Sequence, residues 1–432
     1  MQHVGLVRCF PKINRDLDAH ATLIFMKTIK LKPGKERSLL RRHPWIFESA
    51  IGELNNDVHT MLGLRAGETI RIESDEGRPL AVASYSPKSQ IRARVWTFDA
   101  DTIIDHRFFK NAIRASLARR KALPIASNAY RAIHGESDGL PGVIVDVYGD
   151  TAVVQITSAG AERWKDAIAQ AIVSELKVSA IYERSDSSVR TLEGLEPHQG
   201  WLFPELKSGE TRNTLIRFEE HGLKYEVDVA SGQKTGFYLD QRGNRSLFAQ
   251  AVKSAQAQSV LNCYCYTGGF TLAALAGGAK QVISVDSSAL ALQHAKRHVE
   301  INAFDASQCE FIDADVPAQL RKYRTDGVQF DAIVLDPPKF APSAQHAERA
   351  ARAYKDINRV AFHILKPGGL LFTFSCSGGI DQALFQKIIA SAAMEAHSDA
   401  TILAHVGATH DHPHSLAFPE GEYLKGLLLR KM

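Results

Sequence analysis

Ser259-Val260-Leu261-Asn262-Cys263-Tyr264-Cys265-Tyr266-Thr267-Gly268-Gly269-Phe270 is an apolar run that ends in two glycines, with a helical pattern directly after it. Strand, glycine turn and helix in that order open an alternation that continues toward the C-terminus. Further strand candidates cover residues 281–286, 309–312, 331–335 and 369–375, with room for a helix between each pair, and two more cover 400–405 and 423–430. Regular alternation of apolar strands and helices predicts an α/β fold with a doubly wound sheet over residues 231–432.

The chain is too long for that sheet alone. Its 432 residues, 45% of them hydrophobic, exceed the roughly 250–300 residues at which a single core stops growing. Residues 26–98 alternate over short runs, split by the turn Asp75-Glu76-Gly77, and predict a small all-β module. Residues 99–230 predict a central α+β segment with a helix over 103–122, strands over 142–147 and 152–157, a second helix over 161–176 and a strand pair over 215–229. The turn-rich stretch His134 to Gly142 is expected to join the first helix to those strands. Residues 1–25 precede a second methionine at Met26 and are expected to be a loose extension or an upstream start. No apolar stretch approaches the roughly 20 residues that span a bilayer. Five scattered cysteines do not read as a disulfide framework, so the cytoplasm is the expected compartment.

A net charge of +4 decides nothing about partners, but its distribution is uneven. Lys32, Lys35, Arg37, Arg41 and Arg42 precede Trp45, as a surface that tracks phosphates and stacks bases requires. The alternative is a solvated charged face beside a core tryptophan.

In the α/β segment, Asn262, Tyr266, Thr267, Gly268, Gly269 and Phe270 stand where open sheets bind cofactors, and Asp286 ends the next strand in position for a ribose diol. The glycine spacing is not that of a pyrophosphate cradle, which favours a phosphate-free nucleoside such as S-adenosylmethionine. Asp336-Pro337-Pro338-Lys339-Phe340 ends the fourth strand, and the double proline fixes a rigid loop that exposes the acid; simple strand termination is the alternative. Cys376 ends the fifth strand at the same crevice. Carbon 5 of cytosine becomes nucleophilic only after a thiolate adds to carbon 6, so Cys376 is the expected nucleophile and Asp336 the expected hydrogen-bonding partner of the base. A small buried cysteine is the alternative, and no residue is identified as acceptor of the C5 proton. Cys263 and Cys265 are expected to pack in the core, and His410, His412 and His414 to be loop residues, so no metal site is expected.

Taken in order, these motifs resemble the bacterial large-subunit ribosomal RNA cytosine-5 methyltransferases of type I, which carry an N-terminal pseudouridine-synthase-and-archaeosine-transglycosylase (PUA) domain. The likeness runs from Met26 to the end. It rests on Leu31-Lys32-Pro33-Gly34 with His43-Pro44-Trp45-Ile46-Phe47, Tyr182-Glu183-Arg184-Ser185-Asp186, Lys234-Thr235-Gly236-Phe237-Tyr238-Leu239-Asp240-Gln241-Arg242, the glycine turn, the double-proline loop, Phe374-Ser375-Cys376-Ser377-Gly378 and Pro419-Glu420-Gly421-Glu422-Tyr423-Leu424-Lys425-Gly426. The resemblance implies a PUA barrel over 26–98, a Rossmann-like class I methyltransferase sheet whose last strand is antiparallel, and S-adenosylmethionine as cofactor. It further implies that Cys376 is the nucleophile and that Asp286 and Asp315 line the ribose and adenine ends of the pocket, with Asp313 as the alternative for the second. Phe237, Tyr238, Gln241 and Arg242 would cover the cofactor, and Asp336 would border cofactor and base alike. The implied partner is 23S ribosomal RNA or a large-subunit precursor; a homodimer is open. Two rival functions remain, a methyltransferase of this fold acting on a guanine nitrogen and a non-catalytic RNA-binding assembly factor. Where many RNA cytosine-5 methyltransferases have a second cysteine, this chain has Asp336.

Overall fold

The computed structural model describes residues 26–52, 63–207, 210–340 and 347–432. The expected extension at 1–25 lies outside them. The first module is a five-stranded sheet of β1 (Thr28–Lys30), β2 (Trp45–Phe47), β3 (Thr69–Glu73), β4 (Pro79–Tyr85) and β5 (Ile91–Thr97), ordered β1-β3-β4-β5-β2. Alternate burial along β3 puts Ile70 and Ile72 in a core with Leu31, Ile46 and Tyr85, as period-two patterning requires.

The central module begins with α1 (His106–Lys121), capped by the Asp105 carboxylate, which accepts from Phe108 N. Its sheet contains β6 (Ala129–His134), β7 (Val143–Tyr148), β8 (Thr151–Ile156), β9 (Ala180–Ser185) and β10 (His198–Phe203), ordered β10-β9-β8-β7-β6. Three of these strands, β6, β9 and β10, do not stand out in the sequence. β6 lies between α1 and the turn-rich stretch, so that stretch joins β6 to β7 rather than the helix to a strand. The expected helix over 161–176 is two, Ala159–Arg163 and α2 (Lys165–Leu176), broken at Trp164. A hairpin of β11 (Leu215–Glu220) and β12 (Leu223–Asp228) follows. Phe218 and Tyr225 stack across it at 5.2 Å and pack on Phe237, which merges the central and C-terminal cores.

The C-terminal module alternates as expected. After α3 (Arg242–Ala255) come β13 (Ser259–Cys263), α4 (Gly269–Ala276), β14 (Gln281–Asp286), α5 (Ala289–Ile301), β15 (Cys309–Asp313), α6 (Val316–Asp326) and β16 (Phe330–Leu335). They continue with α7 (Ala347–Ile364), β17 (Leu365–Ser375), α8 (Gln382–Glu395), β18 (Ala400–Gly407) and β19 (Lys425–Lys431). The sheet order is β15-β14-β13-β16-β17-β19-β18; β13 to β17 are mutually parallel and β19 runs antiparallel to both neighbours. Helices cover both faces over separate apolar cores. Strand order reverses between β13 and β16, and the crevice at their carboxyl ends is where such sheets bind ligands. No helix among the described residues is long and apolar enough to cross a membrane.

Candidate active site

β13 stops at Cys263, two residues earlier than its apolar pattern suggests, because the chain turns sharply. Tyr264, Tyr266 and Gly268 all have positive φ (58°, 48° and 79°). Two tyrosines in the left-handed region are strained, a cost of order 1–3 kcal/mol each that the surroundings must hold. Asp286, at the end of β14, holds this turn: one carboxylate oxygen accepts from Tyr266 N (2.8 Å) and the other from Ser288 N (3.0 Å). Each oxygen keeps a lone pair for a ligand hydroxyl. His298, which the sequence does not single out, is fully buried on α5; Nδ1 lies 2.7 Å from Thr267 O and Nε2 accepts from Glu226 N, which fastens the turn to the hairpin. Burial keeps that imidazole below its ordinary pKa and neutral. A Cβ on Gly268 would stand 2.9 Å from Ala295 Cβ, so the turn packs on α5 only with glycine there.

Thr267 Oγ1 and Tyr264 Oη are buried with no hydrogen-bond partner among the described residues. Orphaned hydroxyls beside a glycine turn and a carboxylate with spare lone pairs fit a ribonucleoside with a polar tail. A hollow of about 230 Å³ adjoins the turn, lined by Asp228, Gln233, Tyr266, Thr267, Ser288 and His294. Asp313 pairs in register with Asp286 at the end of β15. Asp315 is exposed, caps α6 by accepting from Ala318 N (3.0 Å), and acts electrostatically on Tyr264.

Several residues expected at the cofactor face inward. Asn262 is buried with its amide donating to Thr271 Oγ1 (3.0 Å), and Phe270 packs among Phe248, Phe372 and Phe374. Phe237 is buried against Phe218 and Tyr225 with the Arg245 guanidinium 4.7 Å above its ring. Arg242 pairs with Asp411 at 2.7 Å and donates to Ala129 O, clamping the central module to the β18–β19 connection. These four shape the site from behind because a nonpolar ring, an amide already hydrogen-bonded inside or a paired cation gains nothing by facing the crevice. His412 lies in that connection, a loop as expected, and is buried beside Asp411.

Two titratable side chains, Asp336 and Cys376, stand at the ends of β16 and β17. Asp336 is part-buried and accepts from Gln241 Nε2 (2.9 Å), while Asn244 donates to Gln241 Oε1 and Gly407 O, fixing the amide's orientation. Burial, reinforced by nearby Asp240, pushes the Asp336 carboxyl up to about 7. Cys376, also part-buried, places Sγ 4.0 Å from the Pro337 carbonyl oxygen, so the thiol and the double-proline loop share one wall. Burial and the Asp336 charge push the thiol up; Lys234 opposes them. Tyr238 stands edge-on to Tyr266 at 5.4 Å and bonds Gln233 Oε1. The residues from 233 to 241 thus bridge the glycine turn and the Asp336–Cys376 wall.

Lys32, Lys35, Arg37, Arg41 and Arg42 are all exposed, around the short helix Arg37–Leu40, and none forms an ion pair among the described residues. Trp45 does not join them as an open stacking face. Its indole N–H donates to Glu136 (2.8 Å), the Arg94 guanidinium lies 5.4 Å from its ring and Phe418 abuts it at 4.8 Å, so it joins the first module to the other two. The four described cysteines are free.

Residues 197–417 match a family described as S-adenosylmethionine-dependent methyltransferase, and residues 29–98 match a PUA-like domain. The chain is 47% identical over 404 residues to ribosomal RNA large subunit methyltransferase I of Shewanella denitrificans, covering 93% of this chain and 98% of that one. It is 48% identical over 409 residues to the protein of the same name from Aeromonas salmonicida, again covering 93% and 98%. Among solved structures, a SAM-dependent methyltransferase from Streptococcus mutans superposes with a TM-score of 0.77 over 94% of this chain and all of that one. A methyltransferase solved with S-adenosylhomocysteine gives 0.78 with the same coverage. At 22% identity these two show the fold alone. The strand order, the glycine turn held by Asp286 and the near full-length likeness to curated relatives agree: the chain belongs to the ribosomal RNA large subunit methyltransferase I family, a PUA-like domain joined to an S-adenosylmethionine-dependent methyltransferase domain.

Proposed function

We propose that the protein methylates carbon 5 of a cytosine in 23S ribosomal RNA, in the cytoplasm, through a covalent adduct with Cys376. The observation that carries this reading is the placement of a part-buried thiol beside the Asp336-Pro337 wall, at the same crevice as the glycine turn. A methyltransferase acting on a guanine nitrogen has no use for a thiol there.

The residues of the turn and Asp286 would hold S-adenosylmethionine, with Asp315 or Asp313 at its adenine end. The cofactor, when bound, supplies an electrophilic methyl group. The cations around Arg37–Leu40 grip RNA phosphates while the target base leaves its stack. Asp336, protonated below about pH 7, donates a hydrogen bond to the pyrimidine and draws electrons from the ring. Cys376 thiolate bonds carbon 6, which moves the ring's electron pair to carbon 5, the atom that takes the methyl. The C5 proton passes to water at the crevice, its C–H electron pair restores the C5–C6 double bond, and the S–C6 bond breaks with its pair returning to Cys376 as thiolate.

The test is Cys376→Ala on ribosomal RNA from a strain lacking the enzyme. Turnover should fall at least 10³-fold while calorimetric affinity for S-adenosylmethionine stays. Wild-type enzyme should form a denaturation-resistant complex with RNA containing 5-fluorocytidine, which has no C5 proton to lose. Unchanged methylation by the variant, or a methylguanosine product, would end this reading.

A further inference from the structure

Behind Asp336 a chain of buried amides runs to the backbone of β18. Gln241 and Asn244 are 2% and 5% exposed, so water cannot replace a lost partner in it. The Asn244 amino group donates to Gly407 O (2.9 Å) and to Gln241 Oε1, and Gln241 Nε2 in turn donates to Asp336 Oδ2 (2.9 Å). A backbone carbonyl can only accept, so Gly407 fixes which way Asn244 faces, and Asn244 fixes Gln241. Every link therefore points the same way, with an N–H turned toward Asp336. Gly407 is itself set in the sheet: it pairs with Lys425 of β19, which pairs with Ser375, the residue before Cys376. Acid and nucleophile are thus referred to one row across the strands. Asp336 Oδ1 has no hydrogen-bond partner among the described residues.

We propose that Asn244 and Gln241 are positioning residues that keep the acid proton of Asp336 on Oδ1, toward the base, and thereby set a preference for cytosine over uracil. In a neutral carboxyl the carbonyl oxygen is the better acceptor. A donor held against Oδ2 makes that oxygen the carbonyl and leaves the hydroxyl at Oδ1. Ring nitrogen N3 is an acceptor in cytosine and carries a hydrogen in uracil, so a hydroxyl at Oδ1 matches the first and opposes the second. Gln241 does not make the acid neutral, since its bond favours the charged form; burial and Asp240 do that, and the amide chain decides where the proton sits. The other groups that act on Asp336 electrostatically are Tyr238 from the same segment, Lys234 ahead of it, Arg245 on α3 and the Cys376 thiol. None of these hydrogen-bonds the carboxyl among the described residues. The inference rests on the cytosine chemistry proposed above, and the product made by the wild-type enzyme reads that chemistry separately.

The experiment measures single-turnover methylation of ribosomal RNA by the full chain against pH, with the product nucleoside identified by mass spectrometry. Gln241→Glu keeps the size of the side chain and the bond from Asn244 but sets a carboxyl against Asp336 Oδ2. In alkaline solution the two carboxyls share one proton between their facing oxygens and Oδ1 is bare. Methylation at about pH 8 should fall about 10²-fold, and should recover about tenfold relative to wild type toward about pH 5.5, where a second proton returns the hydroxyl to Oδ1. Asn244→Asp draws the Gln241 N–H to itself and turns Oε1 toward Asp336, so it should lower methylation at every pH. On RNA carrying uridine in place of the target cytidine, the preference for cytidine should shrink about tenfold or more in both variants. Melting curves and calorimetric affinity for S-adenosylmethionine identify a variant that has lost its fold; both substitutions conserve volume, and either one, folded, decides. A pH-independent loss in Gln241→Glu, or an unchanged cytidine preference in a folded variant, overturns the proposal. If wild type makes 5-methylcytidine and the variants match it, the amide chain alone is rejected; if wild type makes none, the cytosine reading falls and this inference with it.

Discussion

At Asp336 the environment and the chemistry agree on protonation. Burial and Asp240 resist its charge, Gln241 only partly compensates, and the carboxyl is pushed up to about 7. Because this value lies above the ordinary 3.8, the neutral form suits the fold: stability is undiminished below about pH 4 and declines as pH rises through about 7. Asp336→Asn removes that decline while its amide oxygen can still accept from Gln241. The melting temperature of the variant, compared with wild type by scanning fluorimetry, should be equal near pH 4 and higher by a few degrees at pH 8. Methyl transfer should fall about 10²-fold or more, and wild-type activity should drop above about pH 7 as the donor is lost. A variant as active as wild type across that range would remove Asp336 from the chemistry.

At the scale of elements, the glycine turn shows what sequence conveys and what it hides. The inner parallel strands β13, β14, β16 and β17 are buried on both faces and so read as apolar runs; all seven strands of this sheet are visible in the pattern, as are Gly268, Asp286, Asp336 and Cys376 at their ends. The central sheet buries its charges in pairs instead, Arg131 with Asp146 and Glu183 with Lys165, so β6 and β9 look like polar loop. Arg242 and Phe237 lie inside a motif, but which way a motif residue faces depends on partners far along the chain, Asp411 and Phe218, that no local pattern reveals. His298 is invisible for the same reason: one of two histidines on an amphipathic helix, it gives no sign that two backbone groups await it. The turn itself yields a test. Gly268→Ala must accept a left-handed φ and crowd Ala295, at a cost of about 1–3 kcal/mol. Calorimetry should show S-adenosylmethionine binding weakened about tenfold or more, with melting lowered; affinity equal to wild type would mean that the turn does not approach the cofactor.

Across the whole molecule, the modules are joined where work done by one must reach another. Arg120 and Arg131 of the central module and Arg242 of the methyltransferase module converge on Asp411, whose carboxyl is held well below the usual range by burial-compensating contacts with His412 and Arg242. Trp45, with its bond to Glu136 and its contact with Phe418, and the His43–Glu420 pair at 3.2 Å tie the PUA-like domain to the same connection. A grip taken by the first module is thereby delivered to a fixed position relative to the crevice. The grip should be electrostatic, since Lys32, Lys35, Arg37, Arg41 and Arg42 are exposed and unpaired among the described residues while Trp45 is committed to the joint. Removing three of these charges, as Arg37→Gln, Arg41→Gln and Arg42→Gln together, should weaken RNA binding in 100 mM salt by an order of magnitude or more and make the slope of log affinity against log salt shallower by about two to three. The loss should be similar for ribosomal RNA fragments of unrelated sequence, because phosphates rather than bases are held. Fluorescence-anisotropy titrations across a salt series measure both quantities, and a slope unchanged by the triple substitution would place the RNA-binding face elsewhere on the molecule.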